Sequence, residues 1–306
     1  MEIKYFVPVF RSYFHFITES ALGLHLLLKK NSLLTSRDCR LWYQGNYDEI
    51  VQMFSCHPIV KVPLEPRLEN AKTLGKDIKT LKHKFVQRKK DFYPLKELAK
   101  FLSDKVPFKE EPKGITIIKR TRTRQYIETD ELYIKLAALQ LPVRTVLFEK
   151  LTFAQQVNIA RNTNILIAPH GAGTLNQIFM PKGSKIIELF SKGDSNWHAK
   201  AVAEVFGHQL IEIESSATPD SFGREPSEKL RRRLQKEGWP DRETVLGQPD
   251  VRLRYFLEER GLSNRTILKI FNRLKMFELM RVVREAKRFS INPDIITAHV
   301  QKMLMQ

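Results

Sequence analysis

From residue 114 onward the chain alternates short aliphatic runs with longer segments whose apolar positions return every three or four residues. GITIIKR (114–120) is apolar through its centre, the pattern of a strand buried on both faces. TDELYIKLAALQ (129–140) predicts a helix with Thr129 as its N-cap, PVRTVLFEKL (142–151) a second strand, and LTFAQQVNIARNT (151–163) a helix opened by Thr152. NILIAPHGAG (164–173) reads as a third strand running into a glycine loop, and TLNQIFM (174–180) as a short helix stopped by Pro181-Lys182-Gly183. SKIIELF (184–190) predicts a fourth strand, NWHAKAVAEVFG (196–207) a helix with Gly207 at its C-cap, and HQLIEIES (208–215) a fifth strand. Strands and helices in strict alternation describe a parallel, doubly wound α/β sheet.

The first 111 residues are less regular but carry the same vocabulary. HFITESALGLHLLLKK (15–30) reads as a helix, DCRLWYQ (38–44) and HPIVKVP (57–63) as strands, and FYPLKELAKFL (92–102) as a helix. A loop holding Pro107, Glu110, Glu111, Pro112 and Gly114 separates the halves and predicts an interdomain hinge. Beyond residue 215 a polar stretch precedes a helical stripe of Ile267, Ile270, Phe271, Leu274 and Phe277. The expected domains are therefore 1–111, 112–218 and a C-terminal helical region, 219–306, packing back across them.

Composition narrows the class. With 306 residues and an apolar fraction of 42%, the chain can bury two cores, which excludes disorder as its main state. No window approaches the roughly 18 consecutive apolar residues of a membrane span. The opening MEIKYFVPVF, broken by Pro8, is not a signal peptide. Cys39 and Cys56 offer no metal-ligand spacing and read as reduced thiols, and Asn264-Arg265-Thr266 is a sequon of the kind that arises by chance. The 52 Lys and Arg against 34 Asp and Glu give a net charge of +18, which implies an acidic partner. The densest run lies between Lys72 and Lys90, a solvated face or a polyanion-docking surface. No zinc-finger spacing or RNA-binding aromatic signature accompanies it, so no nucleic-acid partner is expected, while contact with an anionic membrane surface stays open.

The chemistry centres on residues 165–181, ILIAPHGAGTLNQIFMP. A strand that enters His-Gly-Ala-Gly and then opens a helix presents backbone N–H groups at the carboxyl edge of the sheet, a ready anion site. As a dinucleotide fingerprint it fails, because Asn176 stands where the third glycine belongs. As a lipase-type oxyanion loop it lacks a G-x-S-x-G nucleophile elsewhere in the chain. A nucleoside diphosphate site remains, beside the plainer reading of a tight strand-to-helix turn with a buried His. The first strand of this half ends in Lys119-Arg120-Thr121-Arg122-Thr123-Arg124, where a guanidinium such as Arg120 or Arg124 can pair with phosphate oxygens. Glu188, on the fourth strand, is expected to accept hydrogen bonds from ribose hydroxyls at the same edge. The chain has no Asp-x-Asp, so a site without a divalent metal is expected.

KRTRTRQYIETDEL and LFEKLTFAQQVNIARNTNILIAPHGAGTLNQIFMPKGSKIIELF closely resemble glycosyltransferase family 61 over roughly residues 114–215, and YFHFITESALGLHLLL echoes the family's N-domain element. The resemblance implies a GT-B fold, two Rossmann-like domains facing a cleft, and an inverting enzyme that takes UDP-sugars. It assigns Arg120 to the diphosphate, His170, Gly171, Ala172, Gly173 and Thr174 to the phosphate loop, and Glu188 to the ribose, with Asn176 beside the loop. His15 and Glu19, four residues apart and so on one helix face, are the expected catalytic pair. Glu149 is held in reserve as a donor or acceptor contact. The family's activities put UDP-xylose first among donors and UDP-N-acetylglucosamine second, with a glycan or glycoprotein hydroxyl as acceptor. Few cysteines and no N-terminal anchor favour a cytoplasmic enzyme of microbial or viral type over a lumenal domain without its anchor. Two other readings compete: a basic module for nucleic acid or membrane surfaces, and a transferase fold that binds nucleotide without turnover.

Overall fold

The computed structural model describes residues 3–7, 12–34, 36–63, 74, 78–81, 89–121, 124–191, 197–215 and 288–305. The first half is built on a parallel sheet of β1 (Ile3–Val7), β2 (Cys39–Tyr43), β3 (Val60–Lys61) and β4 (Ile78–Thr80) in the order β3-β2-β1-β4. Past β1 the chain enters α1 (Tyr13–His15), a π-helical stretch (Phe16–Ala21) and α2 (Leu22–Lys30), which read together as the single predicted helix. α3 (Asp48–Gln52) and α4 (Leu95–Asp104) complete this half.

The second half holds β5 (Gly114–Ile118), β6 (Gln125–Tyr126), α5 (Thr129–Ala137), β7 (Val143–Val146), α6 (Phe153–Arg161), β8 (Thr163–Pro169), β9 (Lys185–Phe190), α7 (His198–Phe206) and β10 (Gln209–Glu214). Its five strands pair in parallel in the order β10-β9-β8-β5-β7. This is the doubly wound sheet that the alternating runs predict, and the two parallel α/β sheets facing a cleft give the GT-B architecture. Strand order reverses between β5 and β8, so the crevice beyond their carboxyl ends is where such a sheet takes a ligand. The first sheet reverses between β1 and β4, which places the start of α1 at its own switch point.

Several local expectations hold. Thr152 caps α6 through a full capping box with Gln155, and Gly207 closes α7 in the left-handed conformation at φ 73°. Thr129 is not an N-cap: Glu128 holds that position, and the Thr129 hydroxyl instead donates back to the Tyr126 carbonyl at 2.8 Å. The loop read as a hinge is fastened along its length to α6. Asn158 and Asn162 bond the backbone of Pro107, Lys109 and Glu111, while Arg161 donates to the carbonyls of Ser103 and Val106. Arg144 adds a 2.8 Å ion pair to Glu111.

One apolar core runs through both halves. It joins Phe16, Leu22, Leu41 and Phe54 of the first to Ile118, Leu166, Phe179 and Val202 of the second. A separate cluster on the far face of the second sheet holds Leu132 and Leu136 of α5 against Ile296, Val300 and Met303 of α8 (Pro293–Leu304), which also follows a short strand, β11 (Arg288–Phe289), paired with β6. Among the described residues, this cluster joins the C-terminal helix to the second half. The predicted stripe Ile267–Phe277 lies outside the described residues, as do Lys72, Lys76, Lys82, Lys84 and Arg88 of the basic run. Of that run, Lys89 pairs with Glu204 on α7. Cys39 is buried and Cys56 exposed, not joined in a disulfide. Among the described residues no helix is long and apolar enough to cross a membrane.

Candidate active site

The glycine loop sits at the switch point of the second sheet. His170 continues the β8–β9 ladder, its N–H donating to the Leu189 carbonyl at 2.7 Å, and the chain then turns through Gly171 into a 3-10 helix over Ala172–Phe179. The Thr174 hydroxyl and N–H both donate to the Gly171 carbonyl, at 2.7 and 3.1 Å, which closes the turn. Arg120, just beyond β5, lays its guanidinium across the turn and donates from Nη1 to the His170 carbonyl at 3.0 Å. Gly171 permits this approach: a Cβ there would lie 2.0 Å from that same Nη1.

Between the halves lies a cleft of about 840 Å³. Arg120, Glu149, Ala172, Gly173 and Asn176 line it from the second half, and Tyr13, Tyr47, Asp48 and Glu49 from the first. The cleft carboxylates are engaged: Asp48 with Lys61 at 2.5 Å, Glu49 with the Phe153 N–H at 2.6 Å, and Glu149 with the Thr121 hydroxyl at 3.2 Å. Glu149 stands on a 3-10 turn (Phe148–Lys150) past the end of β7, not on the strand.

Two histidine–carboxylate pairs lie off this wall. His15 Nδ1 is 2.6 Å from Glu19 Oε1, as the four-residue spacing requires; the imidazole is half exposed and the carboxylate buried. His170 Nδ1 is 2.7 Å from Glu188 Oε1, and Glu188 is wholly buried in the middle of β9. Glu188 therefore does not reach the cleft as a ribose contact would need to; its carboxylate orients His170 from beneath. With the carboxylate oxygen as acceptor, Nδ1–H is the donor in each pair, which leaves Nε2 as the ring nitrogen not turned to the carboxylate. Between the pairs stands His198, the first residue of α7, packed against Phe14 at 5.1 Å and Trp197 at 4.6 Å between ring centroids. Burial, reinforced by the neighbouring His15 and His170, pulls its pKa down to about 4, so this imidazole is neutral at physiological pH. Arg124 takes φ 57° just before β6 and is not on the cleft wall.

The Glycosyltransferase 61 family profile matches residues 13–187, more than half of the chain, a span that holds His15, Glu19, Arg120 and the glycine loop. The chain belongs to glycosyltransferase family 61. Among its family 61 relatives, the EGF domain-specific O-linked N-acetylglucosamine transferase of Drosophila melanogaster is 35% identical over 127 residues, covering 40% of this chain and 24% of that protein. The human Protein O-linked-mannose beta-1,4-N-acetylglucosaminyltransferase 2 is 33% identical over 104 residues, covering 31% of this chain and 18% of that protein. The matched stretch thus spans about a quarter or less of each relative's length. Among solved structures, the heptosyltransferase TibC aligns with a TM-score of 0.35 at 13% identity, over 65% of this chain and 62% of its own.

Sequence reasoning names Arg120, the glycine loop and the His15–Glu19 pair, and gives His170 and Glu188 separate roles instead of joining them as a pair. It misses Tyr13, Tyr47, Gln156 and His198, whose residue types name no chemistry on their own. Their one available signal was position: Tyr13 is two residues from His15, and His198 opens a helix after the fourth strand of the half.

Proposed function

We propose that the chain transfers a sugar from a UDP-sugar to a hydroxyl of a glycan or glycoprotein, with inversion and without a divalent metal. The observation that carries this reading is Arg120 pinned across the glycine loop, on the wall of the cleft and at the sheet's switch point. A guanidinium and a row of backbone N–H groups form a fixed cationic seat for a diphosphate, and fixed donors stabilise a leaving group without reorganisation. His15, carried by the first half and oriented by Glu19, is the base: its Nε2 takes the acceptor's hydroxyl proton. The acceptor oxygen bonds to the anomeric carbon as the carbon–oxygen bond to the diphosphate breaks, and the electron pair departs with UDP. The half-exposed His15 ring can meet a substrate and the buried Glu19 cannot, which favours His15 as base and Glu19 as its orienting partner. Because both relatives are named for N-acetylglucosamine transfer, we test UDP-N-acetylglucosamine ahead of UDP-xylose.

The test is a thermal-shift series in EDTA with UDP, UDP-N-acetylglucosamine, UDP-xylose, UDP-glucose and a GDP control, followed by transfer assays with the stabilising donor. Ligand at about 100 times its dissociation constant adds about 2.7 kcal/mol of stability. UDP compounds are expected to stabilise wild type and not Arg120→Ala. Transfer by Arg120→Ala should fall by about 10²–10³, the usual loss for a fixed oxyanion donor. His15→Ala should keep the UDP shift and lose transfer. If no uridine nucleotide stabilises wild type, the donor-site reading is wrong and binding of polyanions by the basic surface becomes the one to pursue.

A further inference from the structure

Tyr13 reaches the glycine loop from the other half of the molecule: its hydroxyl donates to Asn176 Oδ1 at 3.2 Å. We propose that Tyr13 is a positioning residue for the donor loop, fixing the glycine-loop backbone through the Asn176 amide; the inference rests on the UDP-sugar reading above. The argument is one of forced orientation. Gln156 spends its Nε2 on the carbonyls of Phe148 and Leu151, both at 3.1 Å, so it turns Oε1 toward Asn176. Asn176 must then present Nδ2, which lies 3.4 Å from Gln156 Oε1 and 3.3 Å from the Gly173 carbonyl. Its Oδ1 is left facing the phenol, which can satisfy it only by donating. Burial and the Tyr47 phenol beside it raise the Tyr13 pKa, so the hydroxyl keeps its proton across the working range.

The network ends on the Gly173 carbonyl. That carbonyl shares its peptide with the Thr174 N–H, which closes the turn on the Gly171 carbonyl, so the bond from Asn176 holds the turn over which Arg120 lies and on which a diphosphate would sit. Tyr13 itself is held by its own half: its ring lies 6.0 Å from Tyr47, which stacks on Phe16 at 4.4 Å. The conformation of the donor loop is thus set from the domain that carries His15.

Isothermal titration of the full chain with UDP in EDTA tests this on wild type, Tyr13→Phe, Asn176→Ala and the double variant. Loss of one hydrogen bond predicts that Tyr13→Phe weakens UDP about fivefold to tenfold. Because the hydroxyl acts through Asn176, adding Tyr13→Phe to Asn176→Ala should weaken UDP no further. A residue with a merely structural role would lower the melting temperature of the unliganded chain without this non-additive pattern. Should Tyr13→Phe fail to fold, Gln156→Met removes the other restraint on the amide and is expected to weaken UDP similarly. Wild-type affinity in the Tyr13→Phe variant, or an effect that adds in full to Asn176→Ala, overturns the positioning role alone. Absence of UDP binding by wild type overturns the donor-site reading together with this one.

Discussion

Gly171 takes φ 146°, a conformation that side-chain-bearing residues rarely adopt, directly beneath the Arg120 guanidinium. Gly171→Ala therefore strains the turn and displaces Arg120 from the His170 carbonyl. Its expected result is the loss of UDP stabilisation in a thermal shift together with a lower unliganded melting temperature; a variant that keeps the full nucleotide shift would show that the close approach of Arg120 is dispensable. Gly173 is the contrasting case, since a Cβ there meets Ile118 no closer than 3.4 Å. Much of this was legible in the residues. His-Gly-Ala-Gly after an apolar run announces a loop that something must approach closely, and an Arg at the end of a neighbouring strand is the natural candidate. The role of Glu188 was not legible, because spacing along a strand places a residue near an edge without telling whether its side chain faces ligand or, as here, the underside of His170.

At the scale of elements, α6 is capped twice. Thr152 takes the Gln155 N–H in its own capping box, and Glu49, 104 residues away on α3, takes the Phe153 N–H at 2.6 Å. A carboxylate at a helix N-terminus also meets the positive end of the helix dipole. Glu49→Ala should lower unfolding free energy by about 1 kcal/mol in a urea titration, at the low end for a charged hydrogen bond because the side chain is exposed. An unchanged urea midpoint would mean water replaces the carboxylate at no cost. The elements themselves were readable in the second half, where strands buried on both faces are unbroken apolar runs, and harder in the first. The π-helical stretch Phe16–Ala21 leaves no periodic signature, since six buried residues in a row fit any helix in a core. The cleft wall was unreadable for another reason. Tyr13, Tyr47 and Gln156 come from segments brought together only by the switch points of two different sheets.

At the scale of the whole molecule, three histidines among the described residues resist protonation. Burial lowers the pKa of His25, His198 and His208, against the nearby Glu97 for His25 and the Gln177 carbonyl for His208. His25 is the plainest, packed between Phe54 and Phe101 with both ring nitrogens lacking hydrogen-bond partners. A group whose folded pKa is depressed adds proton uptake to the unfolded state. Stability should therefore be full above about pH 6.5, the value for a solvated imidazole, and fall as pH drops from there toward 4. His25→Leu should flatten that slope in melting temperatures taken from pH 7 to pH 5; an identical slope would assign the acid sensitivity elsewhere. The shared core has a consequence for biosynthesis. Phe16, Leu22 and Phe54 share one buried cluster with Ile118, Phe179 and Val202. At about 5–20 residues per second a ribosome takes several seconds to make the distance between those two sets of side chains. During that interval the nascent first half presents an incomplete apolar face, a binding surface for chaperones. The two halves expressed from separate messages would each be born in that unfinished state, and would stay soluble only by finding one another before they aggregate.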